Sequence, residues 1–103
     1  NPDLAGIACG NDDMALGVVK ALQEKDMKDQ VMVVGVDFTE EAKAAIEDGT
    51  YDATVAMSPY LMGREAVIMM LKALEGQEVT SIGDSTPMAL VNADNVAEMS
   101  DWH

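Results

Sequence analysis

Val31-Met32-Val33-Val34-Gly35-Val36, closed by Asp37, is the stretch on which the fold turns. It is β-branched and apolar without polar alternation, the mark of a strand covered on both faces, as in a parallel sheet flanked by helices. The residues beyond Asp37 read as a helix. Thr39 is a candidate N-cap, Glu40 and Glu41 fill the first turn, and Gly49 stands where a left-handed residue ends a helix. Working outward, the same plan recurs on each side. Upstream, residues 4–9 form a short apolar run bounded by Gly10, a second candidate strand. Asn11 then supplies an N-cap, with Asp12 and Asp13 facing the positive end of the helix dipole. Met14, Val18 and Leu22, with Ala15 and Val19, mark one face of a helix to about Lys25. Downstream, residues 53–57 (ATVAM) are a third strand, and Ser58-Pro59 open a helix from about Tyr60 to Leu74. Residues 78–86 are polar and turn-like, 88–91 suit a fourth strand, and 94–99 a short helical end.

Strands alternating with helices imply right-handed crossovers and a parallel sheet, an α/β arrangement of the flavodoxin-like kind. A length of 103 residues allows one domain. Half of the residues are hydrophobic, but only Phe38, Tyr51, Tyr60 and Trp102 are aromatic, so nine methionines serve as adaptable core filler. The chain opens on Asn1-Pro2 and reads as a processed or excised segment.

A net charge of −13, from 19 acidic against 6 basic residues, repels phosphate backbones and anionic lipid. Neither nucleic acid nor membrane insertion is therefore expected. Cys9, the lone cysteine, lies in an apolar run and reads as a buried packing residue. Its one candidate His partner is His103, at the chain end, which argues against Cys–His or Ser–His catalysis and against a metal site. No glycine cradle of the dinucleotide or P-loop kind follows the first strand, so no cofactor is expected. A phosphoacceptor receiver would want a lysine at a later strand end, and none stands there. The composition points to binding without catalysis.

In open parallel sheets ligands sit outside the carboxyl ends of the strands. Those ends carry Asn11, Asp37 and Met57 with Ser58. Asn both donates and accepts, and an ionised Asp accepts several bonds, which suits sugar hydroxyls. Asn11 could equally be only an N-cap, and Asp37 could merely satisfy backbone donors in a turn.

Gly10-Asn11-Asp12-Asp13-Met14-Ala15-Leu16-Gly17 is similar to the "NDxMALG" stretch of ribose- and galactose-type sugar-binding proteins. "VMVVGVD" at 31–37 and "DGTYDATVAMSPYLMG" at 48–63 resemble that family's "G-[FV]-D", "DG" and "TVAQxPxxxG", in register through Gly63. The resemblance implies a lobe of the type I periplasmic-binding-protein fold, present as a fragment of a two-lobed protein. Residues 1–58 would belong to the C-terminal lobe, 59–87 to a hinge and a helix of the other lobe, and 88–103 to a return strand and tail. It implies a monosaccharide ligand held by Asn11 and Asp37, an ABC-type importer permease as partner, and an extracytoplasmic location, periplasmic or lipid-anchored. Met57 stands where the family usually has an amide, so the sugar itself does not carry over. Phe38 replaces a small residue, and is either a stacking ring near the cleft or a partly exposed packing residue.

The competing reading is the effector domain of a LacI-type repressor, which shares "NDxMALG". Such domains tend to read "PEDVSVVGFDD" and "TVRQP" where this chain has "KDQVMVVGVDFTEEA" and "TYDATVAMSP". Six consecutive apolar residues, Ala66 to Leu71, cover nearly the whole circumference of the third helix, so the chain alone is expected to form a homodimer.

Overall fold

The computed structural model describes residues 1–79 and 87–99. Among them the order is β1 (Gly6–Ala8), α1 (Asp12–Glu24), β2 (Met32–Asp37), α2 (Glu40–Glu47), β3 (Ala53–Met57), α3 (Pro59–Leu74) and β4 (Met88–Asn92). A 3-10 turn, Lys28–Gln30, leads into β2, and another, Val96–Met99, follows β4. The polar turn expected at 78–86 falls from Thr80 on outside the described residues, as do Trp102 and His103.

Each helix begins where its capping residue stands. Asn11 Oδ1 accepts from Met14 N at 2.9 Å, Thr39 Oγ1 from Ala42 N at 3.1 Å, and Ser58 Oγ from Leu61 N at 3.3 Å. Each cap satisfies one backbone donor that a helix start would otherwise leave orphaned. Gly49, at φ +83°, ends α2 in the left-handed region that an L side chain resists.

The strands lie in the order β1-β2-β3-β4. The first three are parallel, but β4 runs antiparallel to β3, with Met57 opposite Met88 and Ala53 opposite Asn92. The sheet is therefore mixed, where the alternation of elements implied a parallel one. The reason is topological: α3 departs from the carboxyl end of β3, and the chain re-enters the sheet from that same end.

Helices α1 and α2 share one face. Ala15, Val19 and Leu22 from α1 and Ala42 and Ile46 from α2 close over Val31, Val33, Ala56 and Val91, with Phe38, Tyr51 and Val96 in the same cluster. Burying a large aliphatic or aromatic side chain of this kind is worth roughly 1.5–3 kcal/mol. At the amino ends of the strands, Asp52 Oδ2 accepts from Lys28 Nζ at 2.8 Å and from Val33 N at 2.7 Å, pinning the entry of β2 to that of β3.

The other face is open. Met32, Leu90 and Met88 are about three-fifths exposed, and Val34, Val36 and Val55 are half-buried. The expectation that β2 is covered on both faces thus fails within this chain, because right-handed crossovers advancing across a sheet set successive helices on the same side. Helix α3 buries none of its residues. The radius of gyration, 17.0 Å, exceeds the ~13 Å of a compact chain of this length.

Candidate ligand site at the strand ends

Because β1, β2 and β3 are parallel, their carboxyl ends open along one edge, and the segments leaving them carry Asn11, Asp37 and Ser58. Asn11 is half-buried. Its Oδ1 is engaged in capping α1, while among the described residues its Nδ2 takes no partner. The N-cap reading is therefore correct, and it leaves two donor hydrogens for something else.

Asp37 is exposed at the last position of β2, and its backbone is unusual, with φ +119°, followed by Phe38 at φ +63°. Two successive non-glycine residues at positive φ cost roughly 1–3 kcal/mol each and persist only where the surroundings over-determine them. The surroundings hold this turn in several ways. The Phe38 side chain is 2 % exposed within the core, Thr39 caps α2, and Thr39 N donates to Asp12 Oδ2 at 2.9 Å.

Asp12 is the residue that sequence reading missed. The sequence offers it as a first-turn carboxylate, a role its exposed neighbour Asp13 fills, or as one of the strand-end carboxylates of a phosphoacceptor receiver. In the fold Asp12 is fully buried, with Oδ1 accepting from Thr54 Oγ1 at 2.6 Å and from Tyr51 OH at 2.9 Å. Three donors converge on one carboxylate, which offsets much of the cost of taking the charge out of water. Burial, and then the adjacent Asp12 carboxylate, hold the Tyr51 hydroxyl well above the usual tyrosine range. The signal that the sequence carries is Thr54, a hydroxyl within an otherwise apolar strand.

Gly35 lets these parts meet. A Cβ there would press on the Tyr51 hydroxyl and lie 3.0 Å from the Asn11 carbonyl oxygen and 3.2 Å from Ala15 Cβ. The start of α1 therefore sits directly on β2, two residues before Asp37, so that Asn11 and Asp37 follow the ends of neighbouring strands. Met57 stands one strand further, half-exposed and on the open face of the sheet, paired with Met88.

Phe38 is a correction. It is a core residue, and neither a stacking ring at the edge nor a partly exposed one. The left-handed backbone at Asp37 and Phe38 breaks the strand alternation, a conformation that Asp-Phe does not announce. Cys9 is half-buried and packs against the core. A depression of about 380 Å³ lies around Lys28, Val31, Gly49 and Asp52, at the amino ends of the strands and away from Asn11 and Asp37. Among the described residues no cluster of His, Cys, Asp and Glu could hold a metal, and no helix is long and apolar enough to cross a membrane.

Comparison with known proteins gives this edge its context. The ribose import binding protein of Escherichia coli is 40% identical over 79 residues, 77% of this chain and 26% of that protein. The D-allose-binding periplasmic protein of the same organism is 33% identical over 93 residues, 90% of this chain and 30% of its own length. Among solved structures, an ABC transporter solute binding protein from Mycobacterium smegmatis with bound glycerol superposes with a TM-score of 0.80 at 38% identity, covering 95% of this chain and 34% of that one. The myo-inositol binding protein of Caulobacter, bound to myo-inositol, gives a TM-score of 0.73 at 33% identity, with 92% of this chain and 32% of that one covered. The chain thus spans about a quarter to a third of the length of the relatives it matches. The pattern of the periplasmic binding protein domain family matches residues 1–78, and the chain belongs to that family.

Proposed function

We propose that this chain forms one side of the binding site of a two-lobed, extracytoplasmic solute-binding protein that delivers a monosaccharide or a closely related polyol to an ABC-type importer, without catalysing a reaction. The observation that carries the reading is the strand-end edge. Asn11 offers amide donors and Asp37 a solvent-facing carboxylate on adjacent strands, in a turn whose strain the core sustains. A sugar hydroxyl both donates and accepts, so a donor and an acceptor side by side suit it. Relatives named for ribose import and for D-allose binding, and a neighbour holding myo-inositol, support the same ligand class and favour import over the LacI-type alternative.

Within this reading residues 1–58 belong to the C-terminal lobe, Ser58 lies at the hinge, α3 docks on the other lobe, and 88–103 return. The bareness of α3 supports the division. Met57 would supply an apolar wall in place of an amide. The exposed apolar side chains of α3 also support self-association of the isolated chain as a homodimer.

The test is calorimetric titration of the full-length protein with D-ribose, D-allose and myo-inositol. Asn11→Ala and Asp37→Ala should each cost about 1–3 kcal/mol of binding, since a hydroxyl in a closed cleft loses its partner. Unchanged affinity in both variants removes them from the site. Met57→Gln should reorder the three ligands, and an unaltered order means that Met57 does not line the ligand.

A further inference from the structure

Asp12 bonds to three residues from two distant segments of the chain, and its two oxygens have different tasks. Oδ1 accepts from Tyr51 OH, just before β3, and from Thr54 Oγ1 within it, whereas Oδ2 accepts from the backbone of Thr39, just beyond the Asp37–Phe38 turn. Asp12 also follows Asn11 directly in the chain. One buried carboxylate therefore ties the residue before it to the residue two places beyond Asp37. A carboxylate serving only the helix dipole would need neither burial nor a bond to another loop, and Asp13 is placed for that role.

We propose that Asp12 is the positioning residue of the strand-end site: through Thr39 N it holds the strained Asp37–Phe38 turn in the one geometry that turns Asp37 toward a ligand shared with Asn11. The inference rests on the sugar-binding reading above and assigns Asp12 no contact with the ligand. The mechanism comes from the strain. Two successive positive-φ residues persist only where the surroundings over-determine them. Phe38 anchors the turn from inside the core, and the bond from Thr39 N to Asp12 anchors its exit. Without that second anchor the Asp37 carboxylate samples several orientations, and binding must select one of them at the expense of affinity.

The chemistry of the network separates positioning from stability. In Asp12→Asn the amide oxygen can still accept from Thr39 N while the NH2 group donates to the two hydroxyls, each of which can accept. In Tyr51→Phe one arm on Oδ1 is lost, and the Thr39 tether stays. In Asp12→Ala all three bonds go.

The experiment uses the full-length protein with D-ribose, D-allose and myo-inositol as probes, titrated well below the melting temperature. Asp12→Ala should weaken the best-bound probe by about 10-fold or more, and Asp12→Asn should return it to within about 3-fold of the unaltered protein. Tyr51→Phe should lower the melting temperature with the dissociation constant unmoved. Asp12→Ala combined with Asp37→Ala should bind no more weakly than Asp37→Ala alone, because one residue acts through the other. Full affinity in Asp12→Ala, equal loss in Tyr51→Phe, or additive losses in the double variant overturns the positioning role. The Thr39 amide resonance reads the tether without any ligand: it should shift upfield in Asp12→Ala and stay in place in Tyr51→Phe. An unmoved resonance in Asp12→Ala overturns the proposal whether or not a sugar binds, and this arm also serves if the sugar reading fails. Absence of binding by the unaltered protein to all three probes strikes that reading alone.

Discussion

Helices α1 and α3 are of similar length, 13 and 16 residues, and differ in what they bury. On α1, Asp12, Ala15, Val19 and Leu22 recur at helical spacing and disappear under the sheet. On α3 the apolar residues run consecutively, and Val67, Met70, Leu71 and Leu74 stay 56–78 % exposed. A stripe suits one sheet face, whereas an apolar circumference needs cover on more sides than one sheet can offer. Apolar content therefore does not decide burial; its distribution around the helix does. The first helix closes over the core, and the third leaves its apolar residues uncovered.

The largest effect expected sets the two regions directly against each other. Phe38→Ala should cost about 3–5 kcal/mol of stability in urea unfolding, as for other fully buried aromatics, whereas Leu74→Ala should fall within about 0.5 kcal/mol of zero, as for an exposed site. Comparable losses at both positions would show that α3 is packed on the lobe and would break the comparison. Gly35→Ala sharpens it from the core side. The added methyl meets backbone at Asn11 and the held ring of Tyr51, so about 1–3 kcal/mol should be lost. No change in the denaturation midpoint would mean that α1 can lift away from β2.

A smaller effect should appear with pH. The Tyr51 hydroxyl is raised above its ordinary value by burial and by Asp12. The native state therefore keeps its proton where the unfolded chain releases it. That stabilisation is complete below the ordinary tyrosine value of about 10 and is lost progressively as pH rises above it. Alkaline melting curves should show this fall, and Tyr51→Phe should flatten it. The smallest effect on stability belongs to α3. Leu71→Lys with Leu74→Lys should leave the unfolding midpoint nearly unchanged at protein concentrations too low for association, yet convert the isolated chain from dimer to monomer in sedimentation equilibrium at higher ones. A monomer before substitution would refute self-association.

Much of the site edge was legible because it rests on local chemistry. Asn11, Thr39 and Ser58 cap helices through side chains that reach only three residues along the chain, and Gly49 ends a helix through its own backbone freedom. Asp37 could be named as a strand end, since the apolar run stops there. Its positive φ, and that of Phe38, could not be read, because neither residue type requires that conformation and only the surrounding bonds impose it.

The sequence by itself determined the order of strands and helices, the starts of the helices, and the edge where Asn11 and Asp37 emerge, because capping, periodicity and strand composition act over a few residues. Tertiary structure alone decided that β4 runs antiparallel, that one sheet face stays open, that Phe38 is core, and that Asp12 is buried. Each depends on partners far apart in the chain: Asp12 bonds to Thr39, Tyr51 and Thr54, 27 to 42 residues away. The same carboxylate is an exposed first-turn charge or a buried tether according to what the fold brings to it, and no local pattern distinguishes the two.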